Sequence, residues 1–552
     1  MKTHKSSQHW PSLLLVIAIT TSITPTLSQN TATYVPAEKI LLICGAPSGK
    51  LYAHDGRAWD GDIGSNYAPA IQNTVSAIPS NQNSSIPTVP YMTARIFQTK
   101  FTYTFPVSPG RKFVRLYFFP SNYTNPNFTA SNSSFTVSIG SYTLLKNFNA
   151  LLTTQAMNDV YMSKEFSVNV SSNTLNLTFT PSLEKENAFA FVNGIEIVST
   201  PQIFDGSNNT FDQPLIVGLS STMTVDEYTA LETVVRLNVG GNSVSPVYDS
   251  GLYRAWDDDS TYIHGAAVGV TYPKDSNVTI KYPDTIPKYI APTIVYGTAR
   301  SMGPDPKANL KNNLTWVITV NPGFYYLVRL HFCEITYSVS MINMRVFDIF
   351  INNQTAAESF DVIARTNGGG IGVPVFLDFI VLFPNTSASQ DIWVSLHPDI
   401  ASKPLGYDAE LNGLEIFKLN DSTGNLYAWN LSKQQTVDSG MKKRIRHYLF
   451  VAIGVIGAVL LILLLAFIAL RRWRPQKLIM QSSLSNQGRV FSFPEIKTAT
   501  KDFNGSLVIG VGGFGKVYRG EIDGGSLQPS EETDFRDREC KSSERRLRFF
   551  RS

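Results

Sequence analysis

Apolar positions fall along this chain in three patterns, and each predicts a different element. Tyr448 to Leu470 is an unbroken run of 23 uncharged, almost wholly apolar residues. At about 1.5 Å of helical rise per residue the run reaches roughly 34 Å, enough to cross a hydrocarbon core of about 30 Å. Lys442, Lys443, Arg444 and Arg446 precede it and Arg471, Arg472, Arg474 and Lys477 follow it, a bracket that argues against a buried core helix. A shorter apolar stretch, Leu13 to Ile23, lies behind Lys2 and Lys5 and ahead of Thr26-Leu27-Ser28. That order of basic, apolar and small residues predicts a secretory signal peptide over 1–28. The third pattern is alternation. Phe113 to Phe119 sets Val114, Leu116 and Phe118 on one face and Arg115 and Tyr117 on the other, and Leu327 to Cys333 repeats it. This is the period of a strand. Phe101 to Phe105, Phe135 to Ile139, Leu175 to Phe179, Val346 to Ile351 and Ile392 to Leu396 are further short runs separated by Gly, Pro and Asn. Helical periodicity is scarce, so the expected class is mainly β, with sandwiches whose inner faces form the cores.

The strand-rich part is one unit used twice. Arg57-Ala58-Trp59-Asp60 returns as Arg254-Ala255-Trp256-Asp257, and Tyr91-Met92-Thr93-Ala94-Arg95 as Tyr296-Gly297-Thr298-Ala299-Arg300. Val114-Arg115-Leu116-Tyr117-Phe118 returns as Val328-Arg329-Leu330-His331-Phe332, and Val192-Asn193-Gly194-Ile195-Glu196-Ile197 as Leu411-Asn412-Gly413-Leu414-Glu415-Ile416. The offsets of 197, 205, 214 and 219 grow steadily, as slightly longer loops in the second copy require. A unit of this length is a duplicated domain and not a solenoid repeat, which spans about 20–50 residues. The expected partition is 1–28 signal peptide, 29–205 first domain, 206–420 second domain, 421–447 linker, 448–470 membrane helix, 471–505 juxtamembrane segment, 506–526 and 527–552.

With four basic residues on each flank, the membrane run does not orient itself. The signal peptide places the residues before it outside. Charge agrees: residues 29–440 carry 25 Lys+Arg against 33 Asp+Glu, a net of −8, while residues 441–552 carry 20 against 10, a net of +10. A basic segment is favoured beside an anionic inner leaflet. Thirteen N-x-S/T sequons precede the run, at Asn83, Asn122, Asn127, Asn132, Asn169, Asn176, Asn208, Asn277, Asn313, Asn353, Asn385, Asn420 and Asn430, and are the expected N-glycosylation sites of a secreted domain. The expected location is the plasma membrane, single-pass, with an extracellular N-terminal part. Cys44 and Cys333 lie outside and Cys540 inside; buried free thiols are the expected state of the first two, and a bridge between them is the alternative. No spacing of Cys and His suggests a metal, and nothing points to nucleic acid.

The strings Tyr91-Met92-Thr93-Ala94-Arg95, Arg111-Lys112-Phe113-Val114-Arg115-Leu116-Tyr117-Phe118 and Tyr326-Leu327-Val328-Arg329-Leu330-His331-Phe332-Cys333-Glu334 resemble the tandem malectin-like ectodomain of plant receptor-like kinases of the FERONIA type. The resemblance spans roughly residues 35–420 and resumes in Phe491-Ser492-Phe493-Pro494-Glu495-Ile496-Lys497-Thr498-Ala499-Thr500 and in Gly510 to Tyr518. It implies a cell-surface receptor that senses cell-wall state or a secreted peptide, often with a lipid-anchored co-receptor. Direct binding of wall polysaccharide would need aromatic platforms and convergent polar groups. Tyr117, Tyr161, Tyr253, Trp256 and Tyr262 are candidates for the first and Asp257, Asp258 and Asp259 for the second. Aromatics in strands more often build cores, and an Asp triplet more often builds a turn, so recognition of a peptide or protein by loops or by the cleft between the two domains is the favoured use.

Gly510, Gly512, Gly513, Gly515 and Val517 fit the glycine-rich loop of a protein kinase, where backbone must close over ATP phosphates without side chains in the way. Val517 stands where a Walker A loop needs Ser or Thr. The 37 residues after Gly515 contain no V-A-I-K, H-R-D or D-F-G string, and 13 of the 26 from Leu527 to Ser552 are charged, so this stretch reads as a truncated kinase followed by a disordered tail. The expectation is no enzyme activity and no cofactor for the chain as written, with ATP and Mg²⁺ belonging to intact relatives. A membrane-anchored decoy for ligand or co-receptor, and an incomplete reading of the gene of an active serine/threonine receptor kinase, are the alternatives. A polysaccharide-cleaving enzyme is disfavoured because no acid pair stands out.

Overall fold

The computed structural model of the protein describes residues 33–68, 74–81, 84–124, 128–204, 212–265, 268–384, 389–427, 492–512 and 515–520. The signal peptide, the 448–470 run and the 527–552 tail lie outside them. Described residues up to 427 belong to one compact unit and those from 492 to another. Among the described residues no helix is long and apolar enough to cross a membrane.

In the first unit, twelve strands join into one sheet. In chain order they are β1 (Lys39–Pro47), β2 (Lys50–Tyr52), β3 (Ala58–Ile63), β4 (Gly110–Phe118), β5 (Met162–Val170) and β6 (Gly194–Ser199), then β7 (Leu215–Ile216), β8 (Leu231–Asn238), β9 (Asp257–Asp258), β10 (Tyr325–Phe332), β11 (Val375–Leu382) and β12 (Gly413–Leu419). Their spatial order is β7-β11-β10-β12-β8-β5-β4-β6-β1-β3-β2, with β9 beside β8. The first copy supplies β1 to β6 and the second the rest. They meet where β5 and β8 pair antiparallel, Phe166 opposite Glu232 and Ser167 opposite Leu231.

Each copy closes its sandwich with a four-stranded sheet: Phe101–Pro106, Thr174–Pro181, Phe135–Ile139 and Tyr142–Phe148 in the first, and Leu314–Val320, Gln390–Pro398, Phe347–Ile351 and Gln354–Phe360 in the second. Strand alternation sends Val114, Leu116 and Phe118 into the first core and Val328, Leu330 and Phe332 into the second. Cys44 and Cys333 are buried free thiols; burial pushes both thiols well above their ordinary pKa, which keeps them protonated and unreactive.

The duplication extends to single hydrogen bonds. Asn193 Nδ2 donates to the Thr93 carbonyl at 2.8 Å while its Oδ1 accepts from the Phe119 N–H at 2.7 Å. Asn412 does the same with Thr298 at 2.9 Å and Cys333 at 2.7 Å. Asp62 accepts from the Gly45 N–H at 2.7 Å and from the Tyr103 hydroxyl at 2.6 Å. Its counterpart Asp259 accepts from the Gly240 N–H at 3.1 Å, the Trp316 indole at 2.9 Å and Arg300. The recurrent Asn and Asp are therefore clasps between crossing segments, each satisfying backbone groups that burial cuts off from water.

The face of Phe113–Phe119 opposite Val114, Leu116 and Phe118 carries Arg115 and Tyr117, and it too is interior: Arg115 is 5% exposed and its counterpart Arg329 is 0% exposed. The outer face of the shared sheet is covered by a third apolar cluster that includes Phe113, Ile203, Phe204, Leu252, Ile290 and Phe417. The segments 200–204, 249–254 and 286–291 lie over the strands there, so both faces of the central strands are interior.

The second unit contains a helix, Phe493–Ala499, started by a capping box between Ser492 and Glu495, and a hairpin, Val508–Gly512 with Gly515–Tyr518. Phe503 packs edge-on to Tyr518 with ring centres 5.4 Å apart.

Candidate functional site

Charged side chains on the covered face form a ladder across the central strands. Glu196 on β6 faces Arg115 on β4, which faces Glu165 on β5. On the other side of the seam Arg236 on β8 faces Glu415 on β12, Glu415 faces Arg329 on β10, and Arg329 faces Asp378 on β11. Arg115 Nη1 lies 2.8 Å from Glu196 and its Nε 2.6 Å from Glu165. Arg236 joins the copies, with Nη2 at 2.8 Å from Glu165 and Nε at 2.6 Å from Glu415. Arg329 holds Asp378 through two bonds of 2.8 and 2.7 Å. A second tie crosses the seam, in which Glu232 accepts from Lys164 of the first copy at 2.7 Å and from Lys418 of the second.

Burial works against the charge on Glu165, but Arg236 and Arg115 outweigh it and hold its carboxyl down to about 2. Glu232 is likewise held to about 2, burial being overcome by Lys164 and Lys418. Two further N–H groups reach covering carbonyls, Arg115 donating to Leu252 at 2.9 Å and Arg329 Nη2 to Ile203 at 2.7 Å, while Arg329 Nη1 is buried without a hydrogen-bond partner. Buried charges arranged this way lose much if one partner is removed, so the ladder fixes the two sandwiches against each other.

At the rim of this seam, Asp159 of the first copy approaches Asp257 and Tyr262 of the second. The Asp257 side chain is open to solvent, yet the protein massed around it, with Asp258 and Asp159, pushes its carboxyl above the ordinary range against the pull of Arg236. The Asp triplet divides by function. Asp258 accepts from its own turn at the Ser260 N–H, 3.1 Å away, and Asp259 is the buried clasp described above.

The aromatic candidates do not converge on one platform. Trp256 is fully buried in a cluster with Val244 and Tyr296. Tyr117 donates to Glu196 at 2.7 Å and stacks edge-on to Trp59. Tyr161 packs on Tyr91 with ring centres 4.6 Å apart, and Tyr253 lies beneath the Lys39 ammonium, 3.7 Å from the ring centre. The fifth, Tyr262, is half-buried against the second core and stands at the seam rim.

The glycine-rich hairpin sets Gly510 opposite Val517 and Gly512 opposite Gly515; Gly513 lies outside the described residues. A side-chain carbon on Gly510 would meet nothing within 4 Å, so the strand is open on that side, as a phosphate-covering strand needs to be. Of the sequons, Asn122, Asn176, Asn277, Asn313 and Asn353 are exposed and Asn132 and Asn169 half-buried, Asn420 is tied into the fold by its carboxamide, and Asn83, Asn127, Asn208, Asn385 and Asn430 lie outside the described residues.

A sheet shared by two copies of one β-sandwich, joined at a seam of buried ion pairs, defines a tandem β-sandwich protein. Residues 42–419 match the malectin-like domain family, and the chain belongs to it. Over 94% of its length it is 46% identical to the receptor-like protein kinase FERONIA of Arabidopsis thaliana, covering 61% of that protein. It is 39% identical over 82% of its length to the receptor-like protein kinase ANXUR1 of the same plant, covering 57% of it. The chain thus spans about three fifths of the length of these curated relatives. Among solved structures, the plant receptor-like kinase FER superposes with a TM-score of 0.66 at 50% identity, over 71% of this chain and 99% of that one. A crystal structure of the plant peptide RALF23 in complex with FER and LLG2 matches with a TM-score of 0.66 at 49% identity, over 72% and 99% of the two chains.

Proposed function

We propose that this chain is the sensing and anchoring part of a FERONIA-type receptor, which recognises a secreted RALF-class peptide together with an LLG-type lipid-anchored co-receptor. The observation that carries this reading is the likeness, at 49% identity over 99% of its length, to the chain in the solved complex with RALF23 and LLG2. The seam supports it physically, because two sandwiches locked by buried ion pairs present their loops in a fixed relation, which lowers the ordering cost of binding. The net charge of −8 over residues 29–440 favours a basic partner. Tyr448 to Leu470 is the anchor in this reading, with the glycosylated part outside the plasma membrane. Wall polysaccharide is a second ligand class that fits the same surface chemistry only through Tyr262 and the seam acids. The glycine-rich hairpin belongs to the output side of the relatives, where a complete kinase would use ATP and Mg²⁺ for phosphoryl transfer.

The test is titration of the full chain in lipid nanodiscs with RALF23 in the presence of soluble LLG2, read by calorimetry, beside a parallel titration with pectin fragments. Saturable peptide binding that depends on the co-receptor is the expected result. Heat from the pectin arm alone would replace the peptide reading with a lectin one, and silence in both arms would remove the receptor reading altogether.

A further inference from the structure

The two copies diverge sharply at one corner, and the divergence places an excess of buried acid there. In the second copy Arg345 lies 2.6 Å from Glu334, 2.7 Å from Glu410 and 3.1 Å from Asp408. The Tyr272 hydroxyl donates to the same Glu410 oxygen that Arg345 holds. Glu334 and Glu410 are 1% and 0% exposed. Register and spacing identify the matching positions of the first copy as Pro120 for Glu334, Ser133 for Arg345, Phe189 for Asp408, Phe191 for Glu410 and Ala77 for Tyr272. There Phe191 packs against Phe118, Phe135 and Phe189. An apolar corner therefore satisfies this fold, and a buried ion cluster seldom stabilises more than the apolar residues it replaces. Stability alone does not account for the charged version.

The oxygens of the three acids are not equally served. Glu334 accepts from the Thr336 N–H at 2.9 Å with the oxygen that Arg345 does not hold. Asp408 likewise accepts from the N–H groups of Met302 and Ala409, each at 2.9 Å. Glu410 has one oxygen, Oε1, buried with no hydrogen-bond partner. Three carboxylates against one guanidinium leave a net charge of −2 in a site almost closed to water, and the acid with an unserved oxygen is the one that gains most from a proton.

We propose that Glu410 is the proton-holding member of a latch, in which one proton on its carboxyl lets Arg345 clamp the segments 334–345 and 399–410 against the strand Val270–Pro273, and loss of that proton releases them. The clamped segments touch directly, with the Leu405 and Gly406 N–H groups donating to Asn343 and Met344. Their outer surfaces carry the exposed Tyr337, Met341, Ile342, Ile400 and Leu405, so the latch governs an apolar surface at one end of the second sandwich. The charged and titratable groups that face Glu410 are Arg345, Glu334, Asp408 and Tyr272, with the buried Cys333 thiol beside them. Burial pushes the Glu410 carboxyl well above its ordinary pKa, Arg345 opposes, and Glu334 adds to the rise. A carboxyl whose pKa is raised by folding contributes stability that is complete below the ordinary value and is lost as pH rises through the raised one. The latch is therefore closed in acid and loosens toward alkaline pH.

Hydrogen exchange of the full chain in nanodiscs, followed by mass spectrometry from about pH 5 to about pH 9 and corrected for the intrinsic pH dependence of exchange, tests this. Peptides covering 334–345 and 399–410 should lose protection as pH rises, approaching the one-proton limit of about tenfold per pH unit, while peptides from β4 and β10 hold theirs. Glu410→Gln, neutral at every pH, should remove the dependence. Glu334→Gln, which takes away a neighbouring negative charge, should make the loss smaller and complete at lower pH. A pH-independent wild type overturns the proposal, as does an E410Q variant that falls as steeply. Should E410Q not fold, an E334Q profile identical to wild type has the same force.

Discussion

Glu165 of the first sandwich and Arg236 of the second meet at 2.8 Å across the only strand pair, β5 with β8, that joins the two copies among the described residues. The other Glu165 oxygen is taken by Arg115 at 2.6 Å, so a single carboxylate is shared between two guanidinium groups on opposite sides of the seam. Replacing it by alanine leaves both cations buried beside each other. Glu165→Ala should lower the unfolding free energy by about 3–5 kcal/mol, the range for breaking a buried pair from one side. The exposed Glu184→Ala should change it by less than about 0.5 kcal/mol. Denaturant unfolding of the two variants is the measurement, and similar midpoints for both would show that the seam carries little of the stability.

The same residue sets an acid limit. Glu165 and Glu232 have folded values of about 2 against an ordinary 4.5. Because folding lowers these values, their contribution is complete above about 4.5 and is lost as pH falls toward about 2. The unfolding midpoint should therefore stay flat on account of the seam from neutral pH down to about pH 5 and drop below it. This direction is opposite to that of the Arg345 latch, so a scan over both ranges separates the two. A seam contribution that fades between pH 8 and 6 would contradict the assignment.

How much of this was legible beforehand follows from what each residue does. The sandwich class and the duplication were readable because strand alternation and recurrent strings depend on local sequence. Asn193, Asn412, Arg115 and Arg329 stood inside those strings, yet their work was not visible, since each acts on a partner far away in the chain. A charged residue recurring at the centre of an apolar strand in both copies was the available signal, because an arginine facing water has no reason to return at the same register. Alternation reports that two faces of a strand differ, and cannot report that a linker covers the second, as it does over Arg115. The Arg345 cluster left no repeat signature at all, being present in one copy only.

Gly45 and Gly240 occupy matching positions with φ of +80° and +72°, in a region that costs a residue with a side chain about 1–3 kcal/mol. A Cβ on Gly45 would sit 2.2 Å from the Ala94 carbonyl oxygen, and one on Gly240 2.0 Å from that of Ala299. Backbone on both sides means neither can yield cheaply. Gly45→Ala and Gly240→Ala should each destabilise by more than the conformational cost alone, while Gly49→Ala, whose Cβ meets nothing within 4 Å, should stay within it. Thermal unfolding of the three variants checks the order, and equal losses would mean that φ, not the crossing chain, decides.

Glycan occupancy should divide along the same structural lines. Asn277, Asn313 and Asn353 present exposed side chains, and nothing in the fold has to move for a sugar to leave the surface there. Asn420 is different: its Oδ1 accepts from the Ala230 N–H at 2.6 Å and its Nδ2 donates to the Asp421 carbonyl at 2.7 Å. The first of these bonds ties Asn420, next to the end of β12, to the start of β8. A sugar attached to Nδ2 would disturb this part-buried tie, since the linkage replaces one of the two N–H groups of the carboxamide. Enzymatic deglycosylation in heavy-oxygen water, which marks each formerly occupied asparagine by mass, should therefore label Asn277, Asn313 and Asn353 and leave Asn420 unmarked. A fully labelled Asn420 would show that the β8 to β12 tie closes around the sugar, and Ala230 exchange would then be faster than that of its neighbours on β8.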